Sequence, residues 1–236
     1  MNSPLHKYTT MKSRSLSLVL LFWLGIHFVS GAQDANTGNW YIYFGNQKIN
    51  SKWNLHSEIQ YRNYNFAGDL QQLLLRTGIG YNLTENNNNL LAGYAYIHSQ
   101  NYILNSDDKS SFDEHRIFQQ FITRQKFGRV NIMHRYRLEQ RFLPDNFRIR
   151  MRYFASLNIP LNRQEMNPGA AYFSAYSEIF INGGSPTFDR GRIYGALGYV
   201  ISRHLRTELG FMSQIQEKTN RNQFQIVLFN NIPFRE

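Results

Sequence analysis

Strict two-residue alternation recurs along most of this chain, and no other feature limits its fold so severely. In RIRMRYFASLNI, residues 148–159, Arg148, Arg150 and Arg152 alternate with Ile149, Met151 and Tyr153. Successive side chains of a strand point to opposite faces, so this segment carries a guanidinium row on one face and an apolar row on the other. The pattern repeats elsewhere. In residues 53–63, Trp53, Leu55, Ile59 and Tyr61 oppose His56, Glu58, Gln60 and Arg62; in 131–142, Ile132, Tyr136, Leu138 and Phe142 oppose Arg135, Arg137, Glu139 and Arg141. A helix would scatter these rows around its axis, so the period predicts strands.

About eleven such segments are separated by polar or turn-like breaks, near 40–49, 53–64, 71–83, 89–99, 114–127, 129–142, 147–159, 171–182, 189–201, 205–215 and 223–232. Most match the roughly 9 to 11 residues that a tilted strand needs to cross a bilayer. The mean hydropathy of −0.49 resembles that of a soluble protein. Barrel strands are only half apolar, however, which reconciles that value with a membrane location. The expected fold is all-β, a closed antiparallel transmembrane β-barrel of about 10 to 12 strands. Bacterial single-chain barrels have even strand numbers, so eleven leaves two options: residues 33–39 add a strand, or the first segment stays outside the closed wall. Tight breaks near 50–52, 127–128 and 202–204, set against the long polar 100–113, predict short turns on one side and longer loops on the other.

The N-terminus predicts export. Lys7, Lys12 and Arg14 precede the apolar run from Leu16 to Val29, and Ser30, Gly31 and Ala32 follow. This is the layout of a signal peptide over 1–32, leaving a barrel domain over 33–236. The run is shorter than the roughly 20 residues of a spanning helix. Removal of 1–32 lowers the formal charge from +10 to +7. The chain has no cysteine, which excludes disulfides and thiolate chemistry.

Three arginines in register can only face inward, since each on a lipid face at the midplane would cost about 2 to 4 kcal/mol. The alternation then places Arg62, Arg76, Arg116, Arg124, Arg135, Arg137, Arg141, Arg148, Arg150, Arg152, Arg190, Arg192 and Arg206 in the lumen with Glu58, Glu114, Glu139, Glu178 and Glu208. Each Glu is expected to pair with Arg on a neighbouring strand, leaving a positive surplus. Such a lumen suits a narrow anion-preferring pore or a small-solute binding barrel. The alternatives are a closed structural or partner-binding barrel with an ion-paired plug, and an outer-membrane hydrolase.

Little favours the hydrolase. His56 is inward near Glu58, with Ser174 as a potential third member, but His115 and His134 alternate outward and no G-x-S-x-G is present. Asp107, Asp108 and Asp113 lack the spacing of an EF-hand, so neither metal nor cofactor is expected. Despite a sequence pI near 9.8, enclosed positive charge is not a groove for a phosphate backbone, and no nucleic-acid partner is expected. The expected partners are outer-membrane lipid, the barrel-assembly machinery and small anions.

RLEQRF at Arg137–Phe142, EHR at Glu114–Arg116, the pair Gly93 and Tyr94, EIF at Glu178–Phe180 and GALGY at Gly195–Tyr199 occur in an order and spacing that resemble a known family. It is the Gram-negative outer-membrane barrel family catalogued as domain of unknown function 2490, and the resemblance runs from Trp40 to about Phe229. It implies an outer-membrane barrel without an established activity and brings no catalytic residues. One departure is the C-terminus, where Phe234 is followed by Arg235 and Glu236, whereas such barrels commonly end on an aromatic residue.

Overall fold

The computed structural model describes residues 37–84, 87–217 and 220–234; the expected signal peptide lies outside these. The described residues form eleven strands and no helix: β1 (Thr37–Lys48), β2 (Trp53–Asn63), β3 (Leu70–Asn82), β4 (Asn88–Tyr102), β5 (Lys109–Phe127), β6 (Val130–Leu143), β7 (Asn146–Pro160), β8 (Ala171–Asn182), β9 (Phe188–Val200), β10 (Leu205–Ile215) and β11 (Asn220–Asn230). Each pairs antiparallel with its sequence neighbour, and β1 pairs with β11 to close the barrel.

The odd count dictates how that closure is made. Eleven strands alternating in direction leave the first and last running the same way, so β1 and β11 meet in parallel, from Thr37↔Asn222 to Gly45↔Asn230. The first segment therefore belongs to the wall. The even-number rule fails here at a single parallel seam.

The three tight breaks do fall together, in the connections 49–52, 128–129 and 201–204 after β1, β5 and β9, but short turns and long loops are not otherwise sorted by end. The connections after β1, β3, β5, β7 and β9 lie at one end, called the near end below, and those after β2, β4, β6, β8 and β10 at the far end. Residues 128–129 and 144–145 are equally tight yet lie at opposite ends, and the long connection is 161–170, at the near end. Most of 100–113 is strand, because β4 and β5 keep pairing to Tyr102↔Lys109. Its polar side chains are used there: Lys109 Nζ and Tyr102 OH both bind the Asp69 carboxylate.

Burial runs opposite to that of a water-soluble core. Glu58, Arg76, Glu114, Arg116, Arg137, Glu139, Arg150, Arg152, Glu178 and Arg192 are buried, while Ile79, Met151, Ile193, Leu197 and Leu209 are exposed on the outer surface. Outer aromatic pairs stand at the strand ends: Trp53 with Tyr81 at the near end, centroids 4.9 Å apart, and Phe142 with Phe147 at the far end, 5.1 Å apart. Beside the seam the inner wall turns apolar, with Trp40, Ile42, Tyr194, Ala196, Met212 and Val227 packed together and Phe44, Tyr176 and Phe229 against them.

Candidate functional site: an arginine-rich septum between two chambers

Glu139 is the centre of the lumen. It is fully buried on β6, and the register places Arg150 of β7 directly opposite. Arg150 donates to Glu139 Oε2 from Nε at 3.0 Å and Nη2 at 2.6 Å, and Arg152 Nη1 donates to Oε1 at 2.7 Å. Arg137, Arg76 and Arg116 approach the same carboxylate to 3.7, 3.9 and 3.9 Å. A buried carboxylate is tolerable only with such charged donors.

Three further carboxylates hold the surrounding arginines. Glu178 accepts from Arg152 at 2.6 Å and Arg135 at 2.8 Å, with Arg192 at 3.7 Å. Glu114 accepts from Arg116 Nε at 2.7 Å and Arg141 Nε at 2.5 Å. Glu58 pairs with Arg76, its cross-strand neighbour on β3. Nearer the rim, Glu208 accepts from Tyr172 OH at 2.9 Å and Arg206 at 3.0 Å.

Aromatic rings fill the space between these ions. Phe180 has the guanidinium carbons of Arg152, Arg192 and Arg150 within 4.4, 4.7 and 5.2 Å of its centroid. Phe118 carries Arg137 at 4.8 Å and Arg76 at 5.3 Å. Trp40 carries Arg62 at 3.8 Å and Arg192 at 5.0 Å. Desolvated cation–π contacts of this kind contribute about 2 kcal/mol each. Room for Phe118 comes from Gly93 across the ladder, where an added Cβ would meet the ring 2.6 Å away.

This layer divides the lumen. A near-end chamber of about 550 Å³ and a far-end chamber of about 280 Å³ share Trp40, Glu58, Gln60, Arg76, Arg152 and Arg192 as lining, so the septum lies between them.

Not every arginine in the septum hydrogen-bonds a carboxylate. Arg137 donates from Nε and Nη2 to Gln120 Oε1 at 2.9 and 2.7 Å. Arg192 donates from the same two nitrogens to Gln214 Oε1, both at 3.0 Å. Arg62 engages Gln60 and Gln72. An amide oxygen fixes a guanidinium in direction but leaves its charge in place. The Arg124 side chain, lining the near chamber, has no hydrogen bond or ion pair among the described residues.

The alternation places these side chains with two exceptions. Arg148 falls on the inward row but is exposed at the far end of β7, without an ion pair among the described residues. Asp189 is the converse. Alternation with Arg190 and Arg192 would turn it outward, but a register shift between Phe180 and Ile181 of β8 makes it an extra residue in β9. It accepts from Arg150 Nη1 at 2.8 Å and Arg190 Nε at 3.2 Å. The amide partners Gln120 and Gln214 and the inward rings Trp40, Phe118 and Phe180 are likewise parts of the site that arginine and glutamate patterning alone did not single out.

His56 Nε2 stands 3.5 Å from Glu58 Oε2, and Ser174 lines the same chamber, but no hydrogen bond joins His56 to Ser174 among the described residues. Nor is there, among those residues, a group of three or more acidic or histidine side chains able to hold a metal ion.

The sequence model of a family described as "Protein of unknown function (DUF2490)" matches residues 37–225, which includes nearly every strand of the barrel. No curated protein and no solved structure matches the chain.

Proposed function

This chain belongs to the DUF2490 family, which carries no assigned activity, and we propose that it is an outer-membrane β-barrel that binds small anions in a lumen closed at its waist. The membrane location is supported by the apolar outer surface with aromatic pairs at both ends and by strands of 11 to 19 residues, long enough to cross. In this reading residues 1–32 direct export, the assembly machinery inserts the barrel, and lipid covers the outer rows.

The observation that carries the anion reading is the way the septum arginines are held. Arg137 and Arg192 are buried and hydrogen-bond glutamine oxygens, while the carboxylates nearest them, Glu139 and Glu178 at 3.7 Å, each already serve two closer arginines, so positive charge is left in excess for a ligand. Arginine forks favour planar two-oxygen partners such as carboxylate. The packing of Phe118 and Phe180 among the ion pairs favours a binding barrel over an open pore.

Trp40 reports on the site, because Arg62 and Arg192 lie against its ring. In a chain carrying Trp23→Phe and Trp53→Phe, acetate and phosphate are expected to change Trp40 fluorescence saturably, with choline as the cationic control. A response shared by choline, or none with either anion, would refute the reading.

A further inference from the structure

The two chambers differ in more than size. At about 550 Å³ the near chamber falls within the roughly 300 to 1,000 Å³ of small-molecule sites, whereas the far chamber, at about 280 Å³, does not. The near chamber is also two-sided. Along the seam it is walled by Ile42, Phe44, Val227 and Phe229 from β1 and β11. Across the lumen, β6 contributes Arg137, which is 3% exposed and held by Gln120.

Around this chamber the unsatisfied hydrogen-bonding atoms are mainly donors. Arg137 Nη1, Arg135 Nε, Arg76 Nε, Trp40 Nε1 and Gln225 Nε2 have no hydrogen-bond partner among the described residues. The unsatisfied side-chain oxygen on that lining is Asn158 Oδ1, and His56 Nε2 can play either role. Buried donors without acceptors are costly, and a ligand oxygen is what such a wall lacks. A bare inorganic anion would satisfy them but would leave the apolar wall facing water.

We infer that the near chamber binds a single-chain anionic amphiphile, its head group at Arg137 and its hydrocarbon chain against the β1–β11 seam. This rests on the anion-binding reading above and narrows it to a ligand class. A carboxylate or a phosphate head would fit the same guanidinium, so free fatty acid and lipid-derived phosphate are the two sources of this chemistry. The mouth carries a second cation, Arg124, four positions along β5 from Gln120 and so about 13 Å from the deep site. Head-down binding makes Arg137 the determinant rather than Arg124.

The test is a titration of the full chain in lipid nanodiscs, read by Trp40 fluorescence in the Trp23→Phe, Trp53→Phe background and corrected with empty nanodiscs. The probes are decanoate, decyl phosphate, decanol and acetate. Decanoate or decyl phosphate is expected to bind at least about tenfold more tightly than both decanol and acetate, and the tighter of the two identifies the source. Arg137→Gln should weaken the better anion about tenfold while leaving decanol unchanged, with Arg137→Lys between them. Decanol binding as tightly as the anions would overturn the head-group site. Acetate binding as tightly as decanoate and decyl phosphate would overturn the amphiphile while sparing the anion reading, and silence from all four would overturn both. Loss on Arg124→Gln but not on Arg137→Gln would overturn the orientation. The comparison among probes uses unsubstituted lumen residues, so it stands even if an Arg137 variant fails to fold.

Discussion

Glu139 shows how much of the lumen can depend on one side chain. It holds Arg150 and Arg152 by direct hydrogen bonds in a site without solvent exposure. Removing one partner of a buried pair strands the others, at about 3 to 5 kcal/mol. Glu139→Gln is therefore expected to lower the unfolding free energy of the refolded barrel by that amount. Glu208→Gln should cost clearly less, because its partner Arg206 is about a quarter exposed. Equal effects of the two variants in urea titrations would contradict the central place given to Glu139. At this scale the sequence was informative where alternation holds: the fragments that carry the family resemblance include Glu114, Arg137, Glu139, Glu178 and Phe180, all in the septum. Asp189 was illegible because a bulge shifts the face of a residue without leaving a mark in its own strand's period. The pairing of Arg137 with Gln120 was hidden as well, since cross-strand partners follow from register, which a single strand does not encode.

Among the elements, the seam between β1 and β11 is the most distinctive. Closure joins residues almost two hundred positions apart, and the two-residue period that marks each strand contains nothing about the direction in which first and last strands meet. Hence the strands could be read from the sequence, and eleven of them implied a parallel seam if the first segment joined the wall, but the period alone left open whether it did. Tyr43 faces Leu228 across it, both outside the lumen. Because the chain lacks cysteine, Tyr43→Cys with Leu228→Cys gives a clean probe, as directly paired strand positions lie within disulfide range. Oxidation of the folded barrel is expected to cross-link this pair and change its mobility on denaturing gels. The pair Tyr43→Cys with Phe224→Cys, displaced by four residues on β11, should not cross-link. Efficient cross-linking of the displaced pair, or of neither, would contradict the register of the seam.

For the whole molecule, an apolar exterior, a charged interior and a septum of ions and rings are the grounds of the proposal that the barrel holds a ligand rather than conducting freely. The outward rows and the excess of lumen arginine were legible from composition and period. An ion-paired plug stood among the alternatives read from the sequence, but the division into two chambers was not legible, because it depends on Phe118 and Phe180 reaching inward from strands read by their charged rows. The most direct test is the current carried by the folded chain in a planar bilayer under a potassium chloride gradient, compared with a Phe118→Ala, Phe180→Ala variant. The wild-type barrel should carry no sustained current, and the variant should show discrete steps whose reversal potential is displaced toward that of chloride. Sustained anion-selective steps from the wild type would contradict a lumen closed at its waist.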